Sequence, residues 1–232
     1  MTRPPGSKAQ LPEGPLRMAQ NAFLDAILAG RREAALSAVQ EALQNGASLV
    51  DIYCDVVAES LRIVGTLWER EEICVAEEHL ATATTKYVVD VIYPRQAIAP
   101  PFRGNMVITG VLGEEHQLGA NLVADAMEAN GWVIRFLGTN LPHGTIVSIL
   151  ESNAIDVLCI STTVPTNLPA TGELIQRIRA RPGSRSPRIV LGGAAHRQVP
   201  RFAKEIESVE VILDLRQALA KLCPQTSEFS KN

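Results

Sequence analysis

The stretch MVITGVLGEEHQLGANLVADAMEANGWVIRFLG, residues 106–138, contains two short apolar runs separated by a loop and a helical segment. The runs, residues 106–112 and 132–138, have the length and β-branched content of buried strands. The helical segment begins near Gln117. A strand, a helix and a second strand of these lengths predict two parallel strands joined by a right-handed crossover.

The same alternation continues to the end of the chain. Three more apolar runs follow at residues 156–163, 188–193 and 209–213. Further helical stretches begin near His143, Pro169, His196 and Leu215. We therefore predict a five-stranded, doubly wound parallel sheet of the flavodoxin or Rossmann-like type, with helices on both faces. His143 and His196 are expected at surface positions where helices start.

The preceding part of the chain has a helical period throughout. One helical segment ends at Gly30 and a second at Gly46, glycine being the residue that most often follows a helix. Ser48 is placed to cap a third, and a fourth stops before Pro94. Four helices with short connections predict a four-helix bundle.

A change of period marks the boundary between the two parts. The stretch RQAIAPPFRGN carries two consecutive prolines followed by a glycine, and it shows no hydrophobic period. The predicted organisation is an unstructured arm (residues 1–15), a helical bundle (16–94), a linker (95–104), a sheet domain (105–224) and a tail (225–232).

Composition narrows the classes of function. Hydrophobic residues make up 46% of the chain but aromatic residues only 4%, so aliphatic side chains must form the core, as in α and α/β folds. A net charge of -3 offers no basic face for nucleic acid, and direct DNA binding is not expected. Because no apolar stretch approaches the length of a membrane span, we expect no membrane association and a cytoplasmic location.

His116 stands in the loop between the first predicted strand and its helix. Ligands of such sheets bind beyond the carboxyl ends of the strands. Glu114, two residues earlier, can accept a hydrogen bond from the imidazole, which would fix its tautomer and improve it as a metal ligand. One histidine with one carboxylate cannot build a zinc or calcium cage. A metal bound here should therefore arrive already held by a cofactor.

The segment Glu114-Glu115-His116-Gln117-Leu118-Gly119 resembles the cobalamin-binding motif Asp/Glu-x-His-x-x-Gly. The run NLVADAMEANGWVIRFLGTNLP that follows also resembles that family. The resemblance implies that His116 displaces the cofactor's own dimethylbenzimidazole and becomes the lower cobalt ligand. It implies further that Glu114 supports the histidine, and that the nucleotide tail enters a slot beside the sheet.

Two more motifs of that family have counterparts at later strand ends. Ser-x-Leu corresponds to Ser161-Thr162-Thr163, where Thr163 departs from the pattern, and Gly-Gly corresponds to Gly192-Gly193. The resemblance implies that Gly119, Ser161 and Thr163 contact the cofactor. It also implies that the two glycines leave room for its tail.

The helical part carries a second resemblance. Trp68 precedes Glu78 and His79 at the spacing of the Trp-(nine residues)-Glu-His signature of CarH-type, light-sensing cobalamin regulators. This implies that the bundle caps the upper face of the cofactor, with Trp68 over an adenosyl group. Glu69 departs from that family, which has a histidine there, and we do not expect a photoproduct with two histidine ligands.

These resemblances lead to alternative functions. The first is a non-enzymatic, adenosylcobalamin-dependent light sensor that acts in transcription regulation through a protein partner, such as a transcription regulator, or through self-association. The second is a corrinoid methyl carrier, a subunit of a methyltransferase system, which would favour methylcobalamin. The run GANLV, residues 119–123, is similar to the GKNLV of such carriers. A third is cobalamin storage or sensing without light chemistry.

Overall fold

The computed structural model describes residues 16–93, 103–181 and 186–224. The chain divides into two compact units, Met1–Ile92 and Tyr93–Asn232. The predicted arm, most of the predicted linker and the predicted tail lie outside the described residues. The first strand begins at Gly104, at the end of the stretch expected to be linker.

The first unit is helical, as the sequence period predicted. Its helices are α1 (Arg17–Leu28), α2 (Arg32–Gln44), α3 (Leu49–Asp51), α4 (Glu59–Glu69) and α5 (Val75–Ile92). Gly30 and Gly46 follow α1 and α2 with φ of 65° and 94°, the left-handed conformation that ends a helix. Ser48 and Asp51 form a reciprocal capping box at the start of α3. The core contains Phe23, Ile27, Val39, Tyr53 and Val88.

A π-helical stretch, Ile52–Ala58, joins α3 to α4 into one continuous helix, so residues 16–93 form four continuous helices. The sequence predicted an ordinary α-helix here. In a π-helix the main-chain hydrogen bonds join residues five apart. Ile52, Tyr53, Val56 and Val57 are all buried. Their spacing also suits an α-helix, and hydrophobic period therefore could not separate the two forms.

The second unit is a five-stranded, entirely parallel sheet, which confirms the predicted fold. The strands β1 (Gly104–Val111), β2 (Trp132–Leu141), β3 (Val157–Ser161), β4 (Arg188–Gly192) and β5 (Val209–Val211) are arranged in the order β2-β1-β3-β4-β5. Its helices are α6 (Leu118–Ala129), α7 (His143–Ser152), α8 (Leu168–Arg179), α9 (Ala195–Gln198), α10 (Pro200–Lys204) and α11 (Leu215–Leu222). Within the described ranges, no helix combines the length and the apolar character needed to cross a membrane.

The strand order shows where a ligand site is expected on this sheet. From β1 the chain continues to β2 on one side, and from β2 it crosses back to β3 on the other, so the carboxyl end of β1 lies at the topological switch point. Apolar side chains from the strands pack with α7 and α8, including Val107, Leu158, Ile146 and Leu174. This packed layer holds the strand ends in fixed positions, and the loops after β1, β2 and β3 extend from it.

His196 corrects the expectation of a surface position, because only 2% of its surface is exposed. It lies on α9, with its ring centroid 5.8 Å from that of Phe202. Neither ring nitrogen has a hydrogen-bond partner among the described residues. Burial lowers the pKa of His196 below its usual value near 6.5, because it disfavours the charged imidazolium. His143 is also partly buried rather than exposed.

We expect the substitution His196→Leu to stabilise the sheet unit by about 1–2 kcal/mol at pH 5.5, because it removes two buried polar atoms without partners. In the unfolded chain the imidazole of His196 takes up a proton near pH 6.5, whereas in the folded protein its pKa is lower. The free energy of unfolding of wild type therefore falls as the pH drops through 6.5. The leucine variant should lose that part of the pH dependence. Urea unfolding at pH 7.5 and pH 5.5 measures both effects.

The matched control is Gln198→Leu, an exposed position on the same short helix. It should change stability by less than about 0.5 kcal/mol and keep the wild-type pH dependence. A leucine variant at position 196 that is destabilised, or that keeps the full pH dependence, would contradict the account of His196.

Candidate functional site

The site is built on the loop that follows β1. The strand ends at Val111, and the amide of Glu114 donates to the carbonyl of Val111 at 3.0 Å, which closes a tight turn. Gly113 takes φ of 86° in this turn, a conformation that glycine adopts without strain. The turn directs Glu114 back toward the sheet, and its side chain is completely buried.

Buried Glu114 is satisfied by four hydrogen bonds. Its Oε1 atom accepts from the main-chain amide of His116 at 3.0 Å and contacts His116 Nδ1 at 2.7 Å. Its Oε2 atom accepts from the amide of Thr163 at 2.7 Å and from Asn167 Nδ2 at 3.2 Å. Burial alone would raise the pKa of Glu114, but these hydrogen bonds outweigh it and lower the pKa to about 2. The carboxylate is therefore charged at neutral pH.

His116 combines a fixed ring with an exposed face. Its side chain is 59% exposed, although Nδ1 lies against the buried carboxylate. A charged acceptor at Nδ1 keeps the proton on that nitrogen and makes Nε2 the more basic ligand. This is the arrangement expected of a histidine that supplies one axial ligand to a metal.

The surroundings of His116 fit a metal that brings its other ligands. No group of three or more histidine, cysteine, aspartate or glutamate side chains suited to a metal occurs in the part of the chain that is described. Gly119, the second residue of α6, is exposed, and a Cβ there would meet no described atom within 4 Å. The space beside the histidine is therefore open at this point.

The remaining predicted residues of the sheet unit lie at adjacent strand ends. Ser161 is the last residue of β3 and pairs in register with Gly192, the last residue of β4. Thr163 contributes its main-chain amide to Glu114, so its departure from leucine does not remove that contact. The structure thus brings Glu114, His116 and Thr163 into one hydrogen-bonded group.

Gly193 has a structural reason to be glycine that differs from the expected one. It takes φ of 100°, and a Cβ there would lie 2.1 Å from the carbonyl oxygen of Thr162. The amide of Ala195 donates to that carbonyl at 3.2 Å. The loops after β3 and β4 therefore approach each other at the main chain, and this approach requires glycine whether or not a ligand binds nearby.

In the helical unit, two of the three predicted residues lie close to each other. His79 Nε2 lies 3.6 Å from Glu78 Oε2, and Glu78 Oε1 accepts from the hydroxyl of Thr82 at 2.7 Å. Trp68, near the end of α4, is 49% exposed. An aromatic ring of this size that exposes half its surface is available to a ligand or partner.

Two asparagines of the site were missed by the sequence analysis. Asn140 Oδ1 accepts from the amide of Gly113 at 2.9 Å. Asn167 Nδ2 donates to the carbonyl of Gly113 at 3.1 Å, in addition to its bond with Glu114. Asn167 ends the 3-10 turn Pro165–Asn167 before α8. Asn140 lies near the end of β2 and Asn167 in the turn between β3 and α8, close to the strand ends where ligands of such sheets bind, and that position was the available signal.

Comparison with known proteins gives a consistent result. Two family models, each described as a B12 binding domain, match residues 19–93 and 104–222. Corrinoid protein DSY3155 of Desulfitobacterium hafniense is 23% identical over 185 residues, covering 78% of this chain and 85% of the relative. Monomethylamine corrinoid protein 1 of Methanosarcina acetivorans is 26% identical, covering 67% and 74%.

A solved structure supports the same fold. The monomethylamine corrinoid protein of Methanosarcina barkeri superposes with a TM-score of 0.78 at 20% sequence identity. The alignment covers 89% of this chain and 98% of that one. At this identity the superposition establishes the shared fold.

Proposed function

This chain belongs to the B12 binding domain family, and from that membership we propose that it is a corrinoid carrier that passes methyl groups within a methyltransferase system. It then acts as a carrier subunit and not as a catalyst by itself. The bound corrinoid supplies a cobalt atom able to accept and release a methyl group.

The observation that carries the corrinoid-binding part of the proposal is the 2.7 Å contact between His116 Nδ1 and the buried Glu114 carboxylate. In the proposed complex His116 Nε2 would hold the cobalt of the corrinoid. Glu114 stays ionised and holds the ring in the required tautomer. Gly119, Ser161, Thr163, Gly192 and Gly193 border the cofactor and its tail.

The named relatives favour the methyl carrier over the light sensor. Corrinoid protein DSY3155 and monomethylamine corrinoid protein 1 align with 78% and 67% of this chain. The CarH-type resemblance rests on Trp68, Glu78 and His79 alone. Light sensing and a transcription regulator as partner, which the sequence first suggested, have no support from these relatives. The partner we propose is a methyltransferase subunit.

Cofactor preference tests the choice between the two functions. The full chain is titrated in the dark with methylcobalamin and with adenosylcobalamin, and each complex is run on size exclusion before and after green light. A carrier should bind methylcobalamin at least as tightly as adenosylcobalamin and elute identically after illumination. Preferential binding of adenosylcobalamin with a light-dependent change in elution would instead support the sensor.

We also propose that Trp68, Glu78 and His79 of the helical unit contact bound cobalamin. Because the indole of Trp68 can stack on an adenine and not on a methyl group, Trp68→Ala should weaken adenosylcobalamin binding about fivefold and leave methylcobalamin binding nearly unchanged. Titration with both cofactors measures the ratio. Leu80→Ala, another exposed apolar position, is the control. An unchanged ratio in the Trp68 variant removes Trp68 from this role.

A further inference from the structure

The end of β2 is irregular in a way that hydrogen bonding along the sheet does not require. Gly138 and Asn140 both take left-handed conformations, with φ of 77° and 59°. Pairing with β1 shifts register between Ile108 and Thr109, and again between Thr109 and Val111. A left-handed asparagine inside a strand costs conformational energy, and such positions are maintained where the surrounding structure fixes them.

The irregular backbone aims the Asn140 side chain at the β1 loop. Asn140 Oδ1 accepts from the amide of Gly113 at 2.9 Å, while Asn167 Nδ2 donates to the carbonyl of the same glycine at 3.1 Å. Both main-chain polar groups of Gly113 are therefore held by side chains from elsewhere in the sheet unit, one from β2 and one from the turn before α8. Glycine has no side chain of its own to fix it, and without these bonds its peptide groups could rotate.

Gly113 directly precedes Glu114, so the backbone conformation of Gly113 determines the position of the Glu114 backbone. Only Leu112 and Gly113 separate the end of β1 from Glu114, and both are exposed. Rotation at Gly113 would displace the Glu114 backbone and lengthen its bonds to His116. The contacts to Thr163 and Asn167 hold the carboxylate itself, whereas the contact to Asn140 holds the preceding peptide.

We propose that Asn140 is a positioning residue for the cobalt ligand, acting through Gly113 and Glu114 on His116. This inference rests on the proposed function, because it assigns His116 to cobalt. Asn140 does not touch the reacting atoms. It couples the end of β2 to the histidine loop, and loss of its side-chain oxygen loosens the ligand while leaving the fold intact.

Two substitutions distinguish the role of the Asn140 side chain from that of its left-handed backbone conformation. Asn140→Gly keeps the left-handed conformation and removes the acceptor, whereas Asn140→Asp keeps an oxygen acceptor. In the cofactor-free protein, the Gly113 amide should exchange its hydrogen at least about tenfold faster in the glycine variant, because its bond is lost. With cobalamin bound, the same variant should show about tenfold weaker affinity and a smaller fraction of histidine-ligated cobalt in electron paramagnetic resonance spectra. The aspartate variant should resemble wild type.

The outcomes distinguish this inference from the function on which it rests. If wild type shows histidine ligation and the glycine variant matches it in exchange and affinity, Asn140 has no positioning role and the proposed function stands. If wild type shows no histidine ligation, the proposed function fails and the role of Asn140 fails with it. A glycine variant whose thermal midpoint falls together with its affinity, without rescue by aspartate, indicates a purely structural role and also overturns the inference.

Discussion

The variant His116→Ala is expected to bind cobalamin on the order of 100-fold more weakly than wild type, or to retain it only with the cofactor's own base on cobalt. The reason is that His116 is the residue of this loop whose exposed ring is fixed by a buried carboxylate. Loss of a group that merely supports a metal ligand already costs about 10- to 100-fold, and loss of the ligand should reach the upper end. Titration followed by visible absorption measures both the affinity and the coordination.

Glu115→Ala provides the matched control, because Glu115 lies in the same loop and is exposed. It should leave affinity and spectrum as in wild type. If His116→Ala binds with unchanged affinity and an unchanged spectrum, His116 does not ligate the cobalt and the account of the site is wrong.

The variant Glu114→Gln is expected to lower the free energy of unfolding of the cofactor-free protein by about 3 kcal/mol. The carboxylate accepts bonds from His116, Thr163 and Asn167, and a glutamine would present its own N–H groups to some of these donors. Buried polar groups left without partners cost about 1–3 kcal/mol each. Urea unfolding of wild type and variant at pH 7 measures the difference.

The difference in unfolding free energy between wild type and Glu114→Gln should change with pH in one direction. The pKa of Glu114 is lowered to about 2 from a reference value of 4.5, so its stabilising contribution is complete above about pH 4.5 and is lost as the pH falls toward 2. The stability difference between wild type and Glu114→Gln should therefore shrink below pH 4.5. The exposed Glu115→Gln variant should show no such difference at any pH, and a difference for Glu114→Gln that grows in acid would contradict the assignment.

The parts of the molecule that the sequence predicted correctly are those encoded locally. Glu114 and His116 are two residues apart, so a single turn brings them together, and a short motif was enough to identify the pair. Gly30 and Ser48 likewise mark a helix end and a helix start through their own backbone and side-chain preferences. The alternation of strands and helices specified the sheet in the same way.

The features that were missed depend on contacts between distant residues. Asn140 and Asn167 reach Gly113 across 27 and 54 positions of the chain, and an asparagine near the end of a strand or in a connecting turn reads as an ordinary turn residue. His196 was expected at the surface because a helix start is usually exposed. Its burial against Phe202 follows from the packing of α9 and α10, which local pattern does not reveal.

The cobalamin-binding motif could not decide between sensor and carrier. Both alternatives require the same histidine with a supporting carboxylate. The distinction was placed on Glu114, where carriers usually have aspartate, and on Trp68, Glu78 and His79. Similarity to corrinoid proteins over most of the chain then favoured the carrier.

The most direct test of the central claim is the electron paramagnetic resonance spectrum of the full chain with bound Co(II) cobalamin, prepared with natural histidine and with histidine labelled with ¹⁵N. If His116 is the axial ligand, the nitrogen splitting changes from a triplet to a doublet on labelling, because ¹⁴N and ¹⁵N have different nuclear spins. A triplet that persists in the labelled protein would assign the nitrogen to the cofactor's own base and contradict the account.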